Sequence, residues 1–397
     1  MNSIVFVTVE DLSGRNGSSI ATRELIISLG EVSADSLSVI CPEPRRPLPE
    51  RLEASVDRFE ILPPVTSPGD PKWHLREEVA VLYRLGKLIL TERPSTVITR
   101  LTPSTLFPAP LCRLSGPTHV LLVRGWVNRD FGDDRTKFHS LVERIVQANV
   151  RLSDEVFVAF EALREWVCKY RTPSQSPVTV LPNAVDPELF APGDGQTVRD
   201  RLGIDEDVFV IGFVGALAER HMLPELVRAT AEDERFRALI VGDGPIRGDL
   251  EQLAADLDIT NRVHFAGAVD HKRVPDYVNA FDIGYGPVSP NKTSNPIKCY
   301  EYLACEIPVI TSRSPELTFV DEVGAGVLLK SVEPSTIAAA ITTLREADTE
   351  DRQQMGHRGR AYVKRNHTWI RVAERILAST DTAQPHSDRL ESGEKPS

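Results

Sequence analysis

Cysteine is scarce. The chain of 397 residues holds five (Cys41, Cys112, Cys168, Cys299 and Cys305), an odd number with no C-x-x-C spacing. That pattern supports neither a disulfide framework nor a zinc site. The thiols read as reduced core or helix residues of a cytosolic protein. No run approaches the ~18 apolar residues that a membrane-spanning helix needs. The N-terminus enters a strand at once, SIVFVTV, without a signal-peptide layout. Positive charge is short too: 46 Lys and Arg stand against 57 Asp and Glu, for a net charge of −11. No Lys/Arg-rich block stands out to neutralise phosphates, so nucleic acid is not an expected partner. A fixed short repeat is missing, which removes solenoids. So is a G-x-G-x-x-G fingerprint, which argues against an NAD-linked oxidoreductase.

What is present is ordinary for a globular chain: 41% hydrophobic and 26% charged residues. The length suits two domains of about 180 residues each. Ile4–Val9 is a continuous apolar run, as in a buried parallel strand. A loop, DLSGRNGSS, and a helical pattern over Ser19–Leu29 follow. Strand-like runs near Leu37–Ile40, Phe59–Leu62, Val97–Thr99, His119–Val123 and Val156–Val158 then alternate with helical patterns near Leu75–Leu90, Thr105–Leu114, Lys137–Asn149 and Ala162–Tyr170. Repeated βα units of this kind predict a doubly wound α/β sheet.

Ligands of such sheets sit past the carboxyl ends of strands. Gly14, Arg15 and Gly17 lie in the first such loop, and Arg100 and Arg124 each follow a strand run, so both arginines are expected in a cationic cleft floor. The segment WHLREEVAVLYRLGKLIL carries a stripe at Trp73, Leu75, Val79, Leu82 and Leu85. Packing against the sheet is its expected use, and a weak peripheral membrane contact is the alternative. Prolines and glycines in PNAVDPELFAPGDG mark a linker. Beyond it the alternation resumes, with strands at Val208–Val214, Ala238–Val241 and 262–269, and a helical turn at Asp276–Phe281.

The stretch Phe281–Ile310 reads as strand, loop, helix and strand. Asn295 is the expected N-cap and Pro296 the first helical residue. Ile297, Tyr300, Glu301 and Ala304 then fall on one face, apolar apart from Glu301. A buried carboxylate needs a charge or a hydrogen-bond donor. Either Lys298 pairs with it one turn away, or it accepts hydroxyl hydrogens from a ligand whose phosphates meet the helix start beside Lys298.

SNPIKCYEYLACEIPVI resembles the nucleotide-sugar segment of retaining glycosyltransferases of family 4, and LPNAVDPELF resembles that family's crossing segment. The resemblance covers nearly all of residues 1–378. It implies an α/β GT-B fold: two Rossmann-like doubly wound domains facing a central cleft. The implied bounds are 1–185 for an acceptor-side domain, 186–366 for a nucleotide-sugar domain, 367–379 for a helix crossing back, and 380–397 for a disordered tail. The implied activity is transfer of a sugar from a nucleotide donor to a hydroxyl acceptor, at the cytoplasm or the inner membrane face, without a metal or other cofactor. Asp133 and Asp134 lack a preceding apolar strand and do not read as a metal-binding Asp-x-Asp.

Carried over residue by residue, Glu301 binds the ribose and Lys298 the phosphates. Gly14, Gly17, Gly215, Gly244, Ser294, Asn295, Pro296 and Ile297 line the donor, and the main chain near Val269 meets the base. Arg15, Arg100 and Arg124 face the acceptor. The chain departs from the family in two places. Ala216 replaces a diphosphate-binding arginine, which leaves Arg220, His221, Lys292 and Lys298 to supply the cation. A histidine beside a diphosphate is expected to become cationic. Thr293 replaces a sugar-binding glutamate and bonds a hydroxyl without charge. The departures keep one rival open, a non-catalytic donor- or partner-binding member of the same fold; a nucleotide-sugar epimerase on paired Rossmann-like domains is another.

Overall fold

The computed structural model describes residues 3–63, 71–102, 105, 107–126, 137–172, 174–205, 207–289 and 295–382. The chain divides into two compact units. The first comprises residues 1–14, 18–182 and 369–397; the second comprises 15–17 and 183–368.

The first unit runs β1 (Ser3–Val7), α1 (Gly17–Val32), β2 (Ser36–Pro42), α2 (Glu50–Ala54), β3 (Arg58–Leu62), α3 (Pro71–Glu92), β4 (Thr96–Arg100), α4 (Pro108–Ser115), β5 (Thr118–Val123), α5 (Lys137–Leu152), β6 (Glu155–Val158), α6 (Glu161–Cys168) and β7 (Thr179–Val180). Among the described residues its strands are ordered β3-β2-β1-β4-β5-β6-β7 and pair in parallel. Strands β1, β5 and β6 are buried on both faces, which is why they read as continuous apolar runs without alternation.

Helix α3 packs against the sheet as expected, but with a packed face that shares only part of the predicted stripe. The packed face is Glu77, Glu78, Val81, Leu85, Leu88 and Ile89, whereas Leu75, Val79 and Tyr83 are exposed. The helix is turned so that Val81, Leu85, Leu88 and Ile89 meet Val5, Val7, Ile40, Leu62 and Val97 on the sheet. Glu78 is buried because its carboxylate accepts the Phe107 N–H at 3.0 Å. The Trp73 side chain lies outside the described residues.

The second unit runs α7 (Gln196–Leu202), β8 (Phe209–Val214), α8 (Leu223–Ala231), β9 (Phe236–Val241), α9 (Arg247–Asp256), β10 (Val263–Gly267), α10 (Val274–Val278), β11 (Ile283–Tyr285), α11 (Ile297–Ala304), β12 (Val309–Ser312), α12 (Phe319–Glu322), β13 (Gly326–Leu329), α13 (Pro334–Glu346) and α14 (Thr349–Asn366). Among the described residues its parallel strands are ordered β10-β9-β8-β11-β12-β13. Successive side chains of β8 serve opposite cores: Val210 joins Tyr300, Tyr302 and Phe319, while Ile211 and Phe213 join Leu226, Ile283 and Ile337.

The chain enters the second unit at Asn183 and leaves it at Thr368. There the Val185 N–H donates to the His367 carbonyl at 2.9 Å, and Val185 bridges Thr368 in parallel. The last helix, α15 (Trp369–Thr382), belongs to the first unit and packs on β5. Thr380–Thr382 are therefore helical and not part of a disordered tail. Residues 383–397 lie outside the described residues. Among the described residues, no helix is long and apolar enough to cross a membrane.

Candidate functional site

In both sheets the chain reverses direction of winding beside the first strand, between β1 and β4 and between β8 and β11. Ligands of open α/β sheets bind outside the carboxyl ends of strands at such a point. In the second unit that point gathers Gly215 after β8, the turn Glu219–His221, and the start of α11.

Helix α11 is held there from several sides. Tyr302 is fully buried; its hydroxyl accepts the Val214 N–H at 2.8 Å and donates to the Tyr285 carbonyl at 3.4 Å. The helix begins one residue later than the sequence predicts. Pro296 is its N-cap, in extended conformation with ψ 113, and Asn295 stands outside it. The Asn295 carbonyl is engaged elsewhere, accepting from the Asn183 side chain at 2.6 Å. The single apolar face is also corrected, since every residue from Lys298 to Ala304 is buried. Cys299, Tyr302 and Leu303 fill the sides that the i, i+3, i+4 reading leaves open. Among the described residues no side chain caps the start of α11, which directs N–H donors and the positive end of the helix dipole to the switch point.

Lys298 sits in the first turn, 5% exposed. Its Nζ lies 3.8 Å from the centre of the Phe213 ring and 3.4 Å from His221 Nδ1. Gly215 makes room for it. At φ +140 a side chain there is strained, and a Cβ would stand 3.0 Å from the lysine Nζ. Burial lowers the Lys298 pKa from 10.5 to about 7.

His221 stands beside Lys298. Burial, with the positive charges of Lys298 and Arg220, pushes its pKa down to about 2. Its ring is held neutral there, with Nδ1 turned to the Lys298 amine at 3.4 Å. The exposed Arg220 is anchored through its carbonyl, which accepts from the Ser289 N–H at 2.9 Å.

Glu301, 5% exposed, does not pair with Lys298. Its Oε1 lies 3.6 Å from Nε2 of His271, a residue the sequence reading passes over. The only sequence signal there is DHKR after a strand, with no period to place the ring.

Residues 194–362 match the family described as Glycosyl transferases group 1, and residues 15–189 match Glycosyltransferase Family 4. The chain belongs to the group 1, family 4 glycosyltransferases. A D-inositol 3-phosphate glycosyltransferase of Stackebrandtia nassauensis is 30% identical over 216 residues, covering 51% of this chain and 48% of that protein. The chain spans about half the length, or less, of the curated relatives it matches. Sucrose-phosphate synthase of Thermosynechococcus elongatus aligns over 95% of this chain and 98% of its own, at TM-score 0.75 and 18% identity. Anabaena HepE in complex with UDP aligns over 96% and 100%, at TM-score 0.73 and 17% identity. These likenesses establish the GT-B fold expected from the sequence.

The remaining expected site residues fall in different surroundings. Val269 packs its side chain against the core that holds Tyr300, leaving its main chain for contact. Gly244 serves a loop–loop approach: a Cβ there would stand 2.3 Å from the Leu217 carbonyl. Ile297 is half-buried at the helix start. Thr293 and Ser294, like Lys292, lie outside the described residues, as do Asp133 and Asp134.

In the first unit Gly14 closes a turn, its N–H donating to the Asp11 carbonyl at 2.9 Å, while Arg15 and Gly17 group with the second unit. Arg100 is not an open cation. It donates to the Ser18 carbonyl at 3.2 Å and to the Ser18 and Thr22 hydroxyls, and it pairs with Glu10 at 3.2 Å. The reason is topological: β4 neighbours β1, so the start of α1 closes over the end of β4. Arg124 donates to the Leu181 carbonyl at 2.8 Å, tying the end of β5 to the chain after β7.

Proposed function

We propose that this chain is a retaining glycosyltransferase that moves a sugar from a nucleoside-diphosphate donor to a hydroxyl acceptor. The observation that carries this reading is helix α11. Its first turn, which no side chain among the described residues caps, holds a buried lysine and, less than a turn further, a buried carboxylate. An anionic diphosphate fits the first and a vicinal diol fits the second. The UDP held by Anabaena HepE supports the same donor class.

In the reading, the bond between the anomeric carbon and the β-phosphate oxygen breaks. A bond to the acceptor oxygen forms on the same face, and the acceptor proton passes to the leaving phosphate. Charge grows on that phosphate as the bond breaks, so Lys298, Arg220 and the α11 dipole stabilise the transition state more than the ground state. Thr293 is assigned to a donor-sugar hydroxyl. No metal is required where these groups carry the charge. A second reading, donor binding without turnover, is favoured by Ala216, exposed where the family resemblance implies an arginine.

A thermal-shift panel of UDP, GDP, ADP, their sugars and NAD tests the proposal. A ligand at about 100 times its Kd adds about 2.7 kcal/mol of stability. One nucleoside-diphosphate series is expected to raise Tm, and NAD is not. Silence across the diphosphates overturns the donor assignment. A shift without release of nucleoside diphosphate from the matching sugar donor, with acceptors supplied, selects the non-catalytic reading.

A further inference from the structure

We propose that His271 is a positioning residue that holds the Glu301 carboxylate for the ribose of the donor, an inference that rests on the reading above. Glu301 needs a partner, because a carboxylate with 7% of its side chain exposed is costly unless a charge or a donor meets it. Lys298 points its ammonium at Phe213 and His221 instead. Among the described residues, the basic atom within ion-pair distance is His271 Nε2, 3.6 Å from Oε1. That nitrogen is buried and makes no hydrogen bond among the described residues. The gap is slightly too long for a direct hydrogen bond. A small rotation of the carboxylate closes it.

The imidazole is fixed independently of any ligand. Its side chain is 13% exposed, and its ring centre lies 5.5 Å from that of Phe190, tilted by 56°. Asp270 caps the turn His271–Arg273 by accepting the Lys272 N–H at 3.1 Å. The ring therefore acts as a stop: it fixes the carboxylate rotamer so that the other acceptor positions face the hydroxyls. A residue of this kind changes ribose recognition without touching the diphosphate.

Calorimetric titration separates that role from simple packing. The ligands are UDP, 2′,3′-dideoxy-UDP and pyrophosphate. The proteins are the full chain, His271→Gln, Glu301→Gln and the double variant. His271→Gln is expected to raise the Kd for UDP roughly ten-fold. It should leave the other two ligands within about two-fold, since neither offers hydroxyls to Glu301. The double variant is expected to bind UDP no more weakly than Glu301→Gln alone.

Equal losses for all three ligands would mean lost packing and would overturn the inference, as would unchanged UDP binding. If Glu301→Gln leaves UDP affinity intact, the ribose assignment beneath it falls. If the unaltered protein binds no nucleoside diphosphate, the donor reading falls and takes the inference with it. Should His271→Gln fail to fold, 15N-histidine labelling of the unaltered chain gives a second readout. Pyrophosphate is expected to move the His221 ring signal beside Lys298, and UDP to move that signal and a second one. A second ring untouched by UDP overturns the inference.

Discussion

Lys298 carries the charge logic of the site in one side chain. With a pKa lowered by burial to about 7, its ammonium is half formed near neutrality and must be completed when an anion arrives. Diphosphate affinity is therefore expected to fall as pH rises from 7 to 9, by at most about ten-fold per pH unit. Titrations of UDP at several pH values check this. Lys298→Met should bind more weakly and lose the slope.

The stability of the unliganded protein moves the other way. Between about 7 and the ordinary 10.5 the unfolded chain binds the extra proton, so the contribution of this residue to stability rises with pH across that window. A Lys298→Met protein should lack that rise in its melting profile. Much of this residue's setting was legible, because Lys298 and Glu301 stand three apart at the start of a helix. The burial that shifts the lysine was not, since it comes from Phe213 and His221, remote in sequence. His271 was hidden for the same reason.

Two elements show how periodicity misleads when a helix is buried unusually. Helix α11 is enclosed on all sides, so an amphipathic template finds only the part of its surface that alternates with polar residues. Its tie to the sheet is the Tyr302 hydroxyl, which serves Val214 and Tyr285 together. Tyr302→Phe keeps the packing but strands the Val214 N–H, for an expected loss of about 1–3 kcal/mol in denaturant unfolding.

Helix α3 errs in the opposite sense. Leu75, Val79 and Tyr83 look like core by type and are exposed, because two glutamates are taken inward at the N-terminal end of the packed stripe. Replacing Leu75, Val79 and Tyr83 each by Ser should change stability by about 0.5 kcal/mol or less apiece. Leu85→Ala, in the core, should cost about 2–5 kcal/mol. Urea titration of the variants compares them directly.

At the scale of the whole molecule the strand alternation carried most of the fold. Parallel strands buried on both faces announce themselves as apolar runs, and βα crossovers leave few ways to wind a sheet. Both sheets accordingly share one order around their first strands. Placing the last element needed more. The composition of α15 gives an amphipathic helix and no destination, and its place on β5 is a long-range fact.

That placement has a consequence for how the protein is made. The first unit is closed by a helix whose residues are translated after the entire second unit. At about 5–20 residues per second, the ribosome takes roughly 10–40 s to synthesise the 183–368 stretch. Through that interval the nascent first sheet stands without α15 on β5, while the later unit has every strand and helix it needs as soon as Thr368 clears the exit tunnel. The order of completion on the ribosome is thus the reverse of the order of synthesis.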